Sequence, residues 1–376
     1  MAEKKETQAP KAKKLADPVA ATIDPASQQM IQRAHDLGVE TAFDRAVTLK
    51  PCNIGSQGIC CKNCGMGPCR LPLPKSGIEG EDTRKGICGA TPNTIAARNF
   101  IRMIAGGAAA HSDHGRSVAE VFMAAARKET DAYKIKDTKK LIEVAQVLGV
   151  DTTVEVDGEQ LDRDLDEIAV EVGEKALNEW GKAEGELLFA QRAPEPRYEL
   201  WKKQGVLPRN IDREIVEIMH RTHIGVDQDY KNLMKQGTRA AIADGWGGSM
   251  LATELQDILF GTPFPLASEA NLGVMKEDMV NIVIHGHEPV LSEMIVAVAQ
   301  KKEMHDYALS KGAKGIQLSG ICCTANEILQ RHGVPLCGTF LQQELAIITG
   351  ACDAMVVDIQ CIFQNLANVA KCFHTK

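Results

Sequence analysis

The stretch MVNIVIHGHEPVLSEMIVAVAQ, residues 279–300, changes character in its middle. A short β-branched apolar run, the composition of a buried strand, gives way after HGH to a helix-like stretch that continues to about residue 312. The same strand-like texture returns in GIQLSGICC (315–323) and DAMVVDIQCI (353–362), again alternating with helix-like segments. Such alternation is the signature of a parallel sheet covered by helices, so residues 263–376 read as a Rossmann-like α/β domain. His285, His287, Cys322, Cys323 and Cys361 then fall at or just after strand ends, where open α/β sheets form their binding crevices. The sequence stops at NVAKCFHTK, soon after the third strand-like run, so this α/β domain is expected to be incomplete.

Upstream the period changes. From Thr91 to about Gly245, TPNTIAARNFIRMIAGGAAAHS, SVAEVFMAAARKE, DTKKLIEVAQVLG, LDEIAVEVGEKALNEWG and NIDREIVEIMHRTH space their apolar residues by three and four, as helices with one buried face do. Before them, residues 51–90 carry Gly55, Gly58, Gly65, Gly67 and Pro68 among six cysteines, which suits a loop wrapped closely around a compact object. The run DPASQQMIQRAHDLGVETAFDRA (24–46) predicts a helix capped by Asp24 with Pro25 just inside it. Residues 1–25, rich in Lys, Ala, Pro and Glu, read as a flexible tail. The expected organisation is therefore a tail over 1–25, a cysteine segment with a helical domain over 26–262, and the α/β domain over 263–376.

The chain has 376 residues, 44% hydrophobic and 25% charged, enough to bury more than one core. A formal charge of −7 argues against general nucleic-acid binding. No apolar run reaches the roughly 18 residues that span a bilayer, and the N-terminus lacks the apolar core of a signal peptide. A cytoplasmic protein without a transmembrane segment is the expectation, and there its 12 cysteines point to metal, because the cytosol keeps thiols reduced.

In KPCNIGSQGICCKNCGMGPCR (50–70) the spacing is Cys52-x7-Cys60, then Cys61-x2-Cys64-x4-Cys69, with Cys88 following in KGICGA. Short steps closed by a distant cysteine let thiolates converge on one cube of iron and sulfide. Four-cysteine zinc sites usually use two Cys-x2-Cys pairs, and this region has one, so a cluster is the preferred reading. Four thiolates suffice for one cube. If Cys61, Cys64, Cys69 and Cys88 supply them, Cys52 and Cys60 are either half the ligands of a second cluster shared with a symmetry mate or buried unligated thiols, and spacing leaves both open.

In the α/β domain, imidazole and thiolate at the ends of successive strands suit iron or nickel, yet one His and two Cys are too few for a large cluster. Cys337, Cys352 and Cys372 read as small hydrophobes. His111 and His114 in GGAAAHSDHGR share a helix face and could pass protons, although taken alone they read first as exposed histidines at a helix end. Asp244 in IADGWGGSM reads first as a turn residue before glycines.

Taken together, CNIGSQGICCKNCGMGPCR, GICGATPNTIAARNF, AAAHSDHGR, ADGWGGSM, DILFGTPFP, SEANLGV, NIVIHGHEPVLSEMI, GICCTANEIL, ITGACDAMVVDIQC and CFHT resemble, in order, the catalytic subunit of the anaerobic nickel-iron carbon monoxide dehydrogenases, from about residue 45 to the last residue. The resemblance implies that Cys52 and Cys60 bind a cluster shared across a homodimer, and that Cys61, Cys64, Cys69 and Cys88 bind a second 4Fe-4S cluster. It implies that His287, Cys323 and Cys361 are ligands of a nickel-iron-sulfur active cluster with Cys322 as a neighbour. It also implies that His111 and His114 line an acid-base path and that Asp244 lies near it. The implied reaction interconverts CO and H2O with CO2, two protons and two electrons, the electrons passing to ferredoxin or a similar carrier. Some members also associate with acetyl-CoA synthase.

Two departures from the family pattern bear on these expectations. The family chain continues and supplies three more cysteine ligands and an acid-base lysine, so this sequence is expected to be a fragment whose active-cluster ligand set is incomplete. Members built for CO oxidation often extend the histidine ladder, whereas the next positions here are Ser117 and Glu120. An oxidoreductase subunit is the favoured function. The competing one is a non-catalytic iron-sulfur electron-transfer or scaffold protein, and a hybrid-cluster protein fits the Cys52/Cys60 pair and the HGHEP and GICC segments less well.

Overall fold

The computed structural model describes residues 14–224 and 226–376. The chain divides into two compact units, one spanning Pro51–Phe264 and the other built from residues 14–50 with Pro265–Lys376.

The first unit is mainly helical. It opens with turns and a two-residue antiparallel ladder of β1 (Cys60–Cys61) and β2 (Cys69–Arg70), in which Cys61 pairs with Cys69. The 35-residue helix Pro92–Ala126 follows, started by Thr91, whose side chain accepts from the Thr94 N–H, with Pro92 in its first turn. Ala97, Ile101 and Ala105 on this helix pack with Ile218 of Ile211–Arg221 and with Leu233 and Ala240 of Tyr230–Ala243. Small residues let these helices approach closely: a Cβ on Gly237 would sit 2.6 Å from Ile101 Cγ2, and one on Gly115 would sit 2.8 Å from Trp180 Cζ2. One element departs from the helical expectation. Thr153–Val156 (β3) and Glu159–Asp162 (β4) form an exposed hairpin. Its turn, Asp157-Gly158, has both residues at positive φ, as the Asp-Gly type I′ turn requires.

The second unit is the α/β domain. Val280–His285 (β5), Ile316–Ile321 (β6), Leu336–Gly338 (β7) and Ala354–Val357 (β8) form a parallel sheet in the order β7-β6-β5-β8. That is the order of the first four strands of a doubly wound sheet, 3-2-1-4, and the change of direction lies between β5 and β8. β7 is the strand missing from the sequence reading, three residues being too short to show a period. Beyond the C-terminal ends of β5, β6 and β8 come the segments carrying His287, Cys323 and Cys361.

The N-terminal boundary is corrected. The expected tail lies outside the described residues as far as residue 13, but Pro18–Ala21 is a short helix capped by Asp17. Ala16 is buried, and its N–H donates to Asp44 Oδ1 at 2.9 Å. Residues 26–50, expected with the helical domain, belong to the α/β unit. The helix Pro25–Asp36, capped by Asp24 as its sequence predicts, inserts Ile31 and Ala34 among Val283, Ile321, Leu345 and Ile348. Arg33 Nε donates to Ile348 O at 2.9 Å and Arg45 Nη2 lies 2.6 Å from Glu344 Oε1. Ile31 is fully buried. Ile31→Ala is therefore expected to destabilise the α/β unit by about 2–5 kcal/mol in urea unfolding. A loss below about 0.5 kcal/mol would contradict the placement of this helix in that core.

Candidate metal centres

In the helical unit the structure gathers Cys61, Cys64, Cys69 and Cys88 around one small cavity, with Arg98, Ile95 and Met66 also in its wall. The ladder explains which thiols turn inward. Successive residues of a strand point to opposite faces, so Cys61, buried, shares a face with its partner Cys69, while neighbouring Cys60 is outside the cavity lining. Two glycines let the loop close on itself: a Cβ on Gly67 would lie 3.0 Å from Cys61 O, and one on Gly86, in the cavity wall, would lie 3.3 Å from Cys69 Cβ. Asn99 of the long helix pins the loop from outside, its Nδ2 donating to Gly58 O at 2.8 Å and Cys60 O at 3.0 Å.

These residues fit a four-iron cube. Four thiols face one volume, small residues keep their backbone close to it, and a buried cation lies beside them. Among the described residues, no three His, Cys, Asp or Glu side chains meet as they would around a single ion. A tetrahedral zinc at about 2.3 Å from each thiolate would draw the sulfurs to roughly 4 Å of one another.

Cys52 is exposed and Cys60 half-buried, so the buried-thiol reading does not hold for Cys52. Backbone N–H groups, foremost that of Gly55 and then that of Ile54, favour the Cys52 thiolate and hold its pKa below the ordinary thiol value.

His111 and Asp244 are brought together. Asp244 opens a six-residue π-helical segment, Asp244–Ser249, between Tyr230–Ala243 and Met250–Phe260, a local widening often found at functional sites. His111 Nδ1 lies 2.7 Å from Asp244 Oδ1, and Ser249 Oγ lies 3.4 Å from the same nitrogen. A Cβ on Gly248 would come within 3.3 Å of His111 Cβ, so the glycines of GWGGS let the segment close on the histidine. His114 is half-buried one turn on, and Ser117 and Glu120 are exposed.

The hydrogen bond to Asp244 raises the pKa of His111 above 6.5, against the opposing effect of burial. The folded value being the higher, the pair's stabilisation is fully present below about pH 6.5 and is lost as pH rises through the folded value. Asp244→Asn is expected to bring the His111 midpoint, followed by NMR of the ring protons, down toward or below 6.5. An unchanged midpoint would mean that the carboxylate does not set it.

In the α/β unit one carboxylate ties the ligand-bearing segments together. Asp358, just past β8, accepts from the backbone N–H of His287 at 2.7 Å, from that of Glu288 at 3.0 Å and from Thr324 Oγ1 at 3.2 Å, as well as from the N–H of Ile359. Thr324 follows Cys323, and Cys361 is three residues beyond Asp358. Gly286 makes this possible: its φ is +144°, and a Cβ there would lie 1.4 Å from Asp358 Oδ1. Gln343, buried, clamps the other side, donating to Cys361 O at 2.9 Å while its Oε1 accepts from the Phe363 N–H at 2.8 Å.

Backbone strain gathers here. Cys322, Gln360 and Cys361 have φ of 68°, 65° and 58°, a left-handed conformation unusual for residues with side chains and one that surrounding contacts must hold. Cys322 is hydrogen-bonded to Cys361. Burial, and after it the Cys361 and Cys323 thiols, push its pKa up to about 12. Burial, then the nearby Cys361 thiol, also raises the pKa of Cys323, and crowded thiols of this kind suit a cationic group able to take the place of their protons.

Other sequence readings are sorted by burial. His285 ends β5 with no exposed surface, and burial lowers its pKa, as for a core histidine. Cys337 and Cys352 sit in the core of the unit. Cys372 is exposed, contrary to expectation, because the short helix Leu366–Ala370 turns Leu366 and Val369 inward and leaves it outside. Asp358, Gln343, Arg98 and Asn99 were not legible as site residues. The one signal that could have pointed to Asp358 is the glycine between two histidines, Gly286, since glycine at such a place can mark a close backbone approach.

No helix among the described residues is long and apolar enough to cross a membrane. The profile of the Prismane/CO dehydrogenase family matches residues 59–376. Carbon monoxide dehydrogenase 1 of Methanosarcina acetivorans is 53% identical over 357 residues, covering 94% of this chain and 55% of that protein. An as-isolated, nickel-free carbon monoxide dehydrogenase from Thermococcus sp. AM4 superposes with a TM-score of 0.87 at 48% identity, covering 100% of this chain and 57% of that one. An acetyl-CoA synthase/carbon monoxide dehydrogenase, described with NiZn[Fe4S4] and NiNi[Fe4S4] clusters in its alpha subunits, gives a TM-score of 0.85 at 44% identity, covering 98% of this chain and 53% of that one. The chain spans about half the length of the curated relatives it matches.

Proposed function

Because the chain belongs to the Prismane/CO dehydrogenase family, we propose that it serves an oxidoreductase that interconverts CO and H2O with CO2, two protons and two electrons. The observation that carries this reading is the meeting, on the single carboxylate of Asp358, of the segments that bear His287, Cys323 and Cys361. These three residues would hold part of a nickel-iron-sulfur group. Cys61, Cys64, Cys69 and Cys88 would hold a 4Fe-4S cluster, and Cys52 and Cys60 half the ligands of another shared with a second copy of the chain. When bound, the nickel-containing group supplies Lewis acidity and two-electron chemistry, and the 4Fe-4S groups supply one-electron relay toward ferredoxin or a similar carrier.

The chain's own residues handle protons and geometry. Each turnover toward CO2 releases two protons. With Nδ1–H donated to Asp244, His111 presents Nε2 as a base, and the carboxylate steadies the imidazolium that forms. His114 is the next acceptor on the same helix, with Ser117 and Glu120 carrying the path to water. Asp358 and Gln343 fix the backbone of the ligand segments, so the thiols and imidazole need not be ordered when the group binds. The exposed Cys52, with its favoured thiolate, supports a site completed by a second copy. Acetyl-CoA synthase is a further partner on this reading.

The test is CO-dependent reduction of a viologen dye by this chain purified anaerobically within a subunit of family length that supplies the remaining cluster ligands, loaded with nickel and iron, beside its Cys323→Ala variant. Dye reduction by the parent and its loss in the variant are expected. A parent carrying nickel and iron that leaves the dye oxidised under CO would overturn the reading and leave a non-catalytic electron carrier as the better one.

A further inference from the structure

One side chain in the wall of the four-cysteine cavity is cationic. Arg98, on the helix Pro92–Ala126, is 1% exposed. Its Nη1 lies 3.8 Å from Cys88 Sγ, its Nη2 donates to Asp227 O at 2.8 Å, and its Nε has no hydrogen-bond partner. Among the described residues its polar contacts are a thiol and a main-chain carbonyl, with no carboxylate. A guanidinium stays protonated in proteins, and burying one without a counter-charge is costly. The compensating negative charge has to come from what the cavity holds. Four thiolates around a 4Fe-4S core are net anionic in both oxidation states, and more so when reduced.

We propose that Arg98 is the fixed counter-charge of this cluster and sets its reduction potential, an inference that rests on the reading of the cavity as a 4Fe-4S site. A positive charge beside the cluster, in a medium of low dielectric, stabilises the reduced form more than the oxidised one and so raises the potential. Arg98 thereby keeps the cluster reducible inside a wall that, with Ile95, Ala90 and Met66, is otherwise largely apolar. The bond to Asp227 O also braces the loop after Ile211–Arg221, so the test has to separate charge from bracing.

The chain and its Arg98→Gln and Arg98→Lys variants are reconstituted anaerobically with iron and sulfide, their iron counted, and the cluster titrated potentiometrically by EPR. At the parent's midpoint, the reduced-to-oxidised ratio is expected to fall about tenfold or more in Arg98→Gln, a shift of about 59 mV for one electron. In Arg98→Lys, which keeps the charge, it stays within about threefold. Loading of Arg98→Lys with failure of Arg98→Gln to take iron supports the proposal in a stronger form, the charge being needed to hold the cluster. An unshifted Arg98→Gln, equal shifts in both variants, or failure of both to load while the parent loads would each overturn it and leave Arg98 as a brace. A parent that takes up no iron refutes the reading of the cavity itself, a result readable before any potential is measured.

Discussion

Cys69→Ala is expected to abolish the 4Fe-4S cluster of the helical unit and to unlock residues 51–90. Cys69 faces Cys61 across the two-residue ladder, and both line the cavity. Little else holds this segment: its apolar cluster comprises Cys61, Ala90 and Ile95, with Cys69, Leu71 and Cys88 packed against it. Where so small a core is available, metal ligation supplies the folding energy. Loss of a ligand should therefore cost up to about four irons per chain and raise amide exchange across 51–90. Helices such as Leu165–Gly181, which have their own core, should stay protected. The matched control is Cys337→Ala. That thiol is buried among apolar side chains in the α/β unit, so its removal is expected to cost about 1–3 kcal/mol and no iron. Parent-like iron content in Cys69→Ala, or equal iron loss in both variants, would count against the four-cysteine assignment.

Gly286→Ala is expected to be the most damaging single methyl in the α/β unit. The added carbon would overlap Asp358 Oδ1 at 1.4 Å on a backbone whose φ of +144° few L-residues adopt, so the carboxylate has to leave. With it go its bonds from His287 N–H, Glu288 N–H and Thr324 Oγ1. Charge-assisted hydrogen bonds contribute about 1.5–3 kcal/mol each, and these are coupled, so a net loss of about 3–5 kcal/mol is reasonable. Asp358→Asn keeps the shape while turning one acceptor into a donor that faces N–H groups, and should cost about 2–3 kcal/mol. Urea unfolding followed in the α/β unit measures both, and nickel uptake should fall in both as the His287 and Cys361 segments separate. If Gly286→Ala unfolds at the parent's urea midpoint, Asp358 does not tie the segments together as described.

Long-period features of this fold were legible in the sequence and close encounters were not. The helix Pro92–Ala126 shows its apolar spacing in two stretches that the structure joins into one helix, with His111 and His114 in its interior and not at a helix end, and β5, β6 and β8 are runs of β-branched residues; both kinds of pattern are local. The packing of Pro25–Asp36 on the α/β core is not local, since Ile31 meets Val283 and Ile348 across a gap of more than two hundred residues in sequence. The Asp157-Gly158 hairpin was missed because flanking helical periods outweighed a short turn signal. At the metal centres the thiols announced themselves by spacing, whereas Arg98, Asn99, Gln343 and Asp358 look like ordinary polar residues of helices and strand ends. Their roles come from burial and from partners distant in sequence, as Gln343 and Cys361 are, and no window of the sequence contains those.

The central claim, a four-iron cluster held by Cys61, Cys64, Cys69 and Cys88, is tested most directly by Mössbauer spectroscopy of the anaerobically purified, iron-57-enriched chain, with total iron, zinc and sulfide counted on the same sample. The expected result is the paired mixed-valence signature of a 4Fe-4S cluster in at least about four irons per chain, with sulfide in equal amount and zinc absent. One zinc per chain with neither iron nor sulfide would contradict it and make the four cysteines a closed structural zinc site.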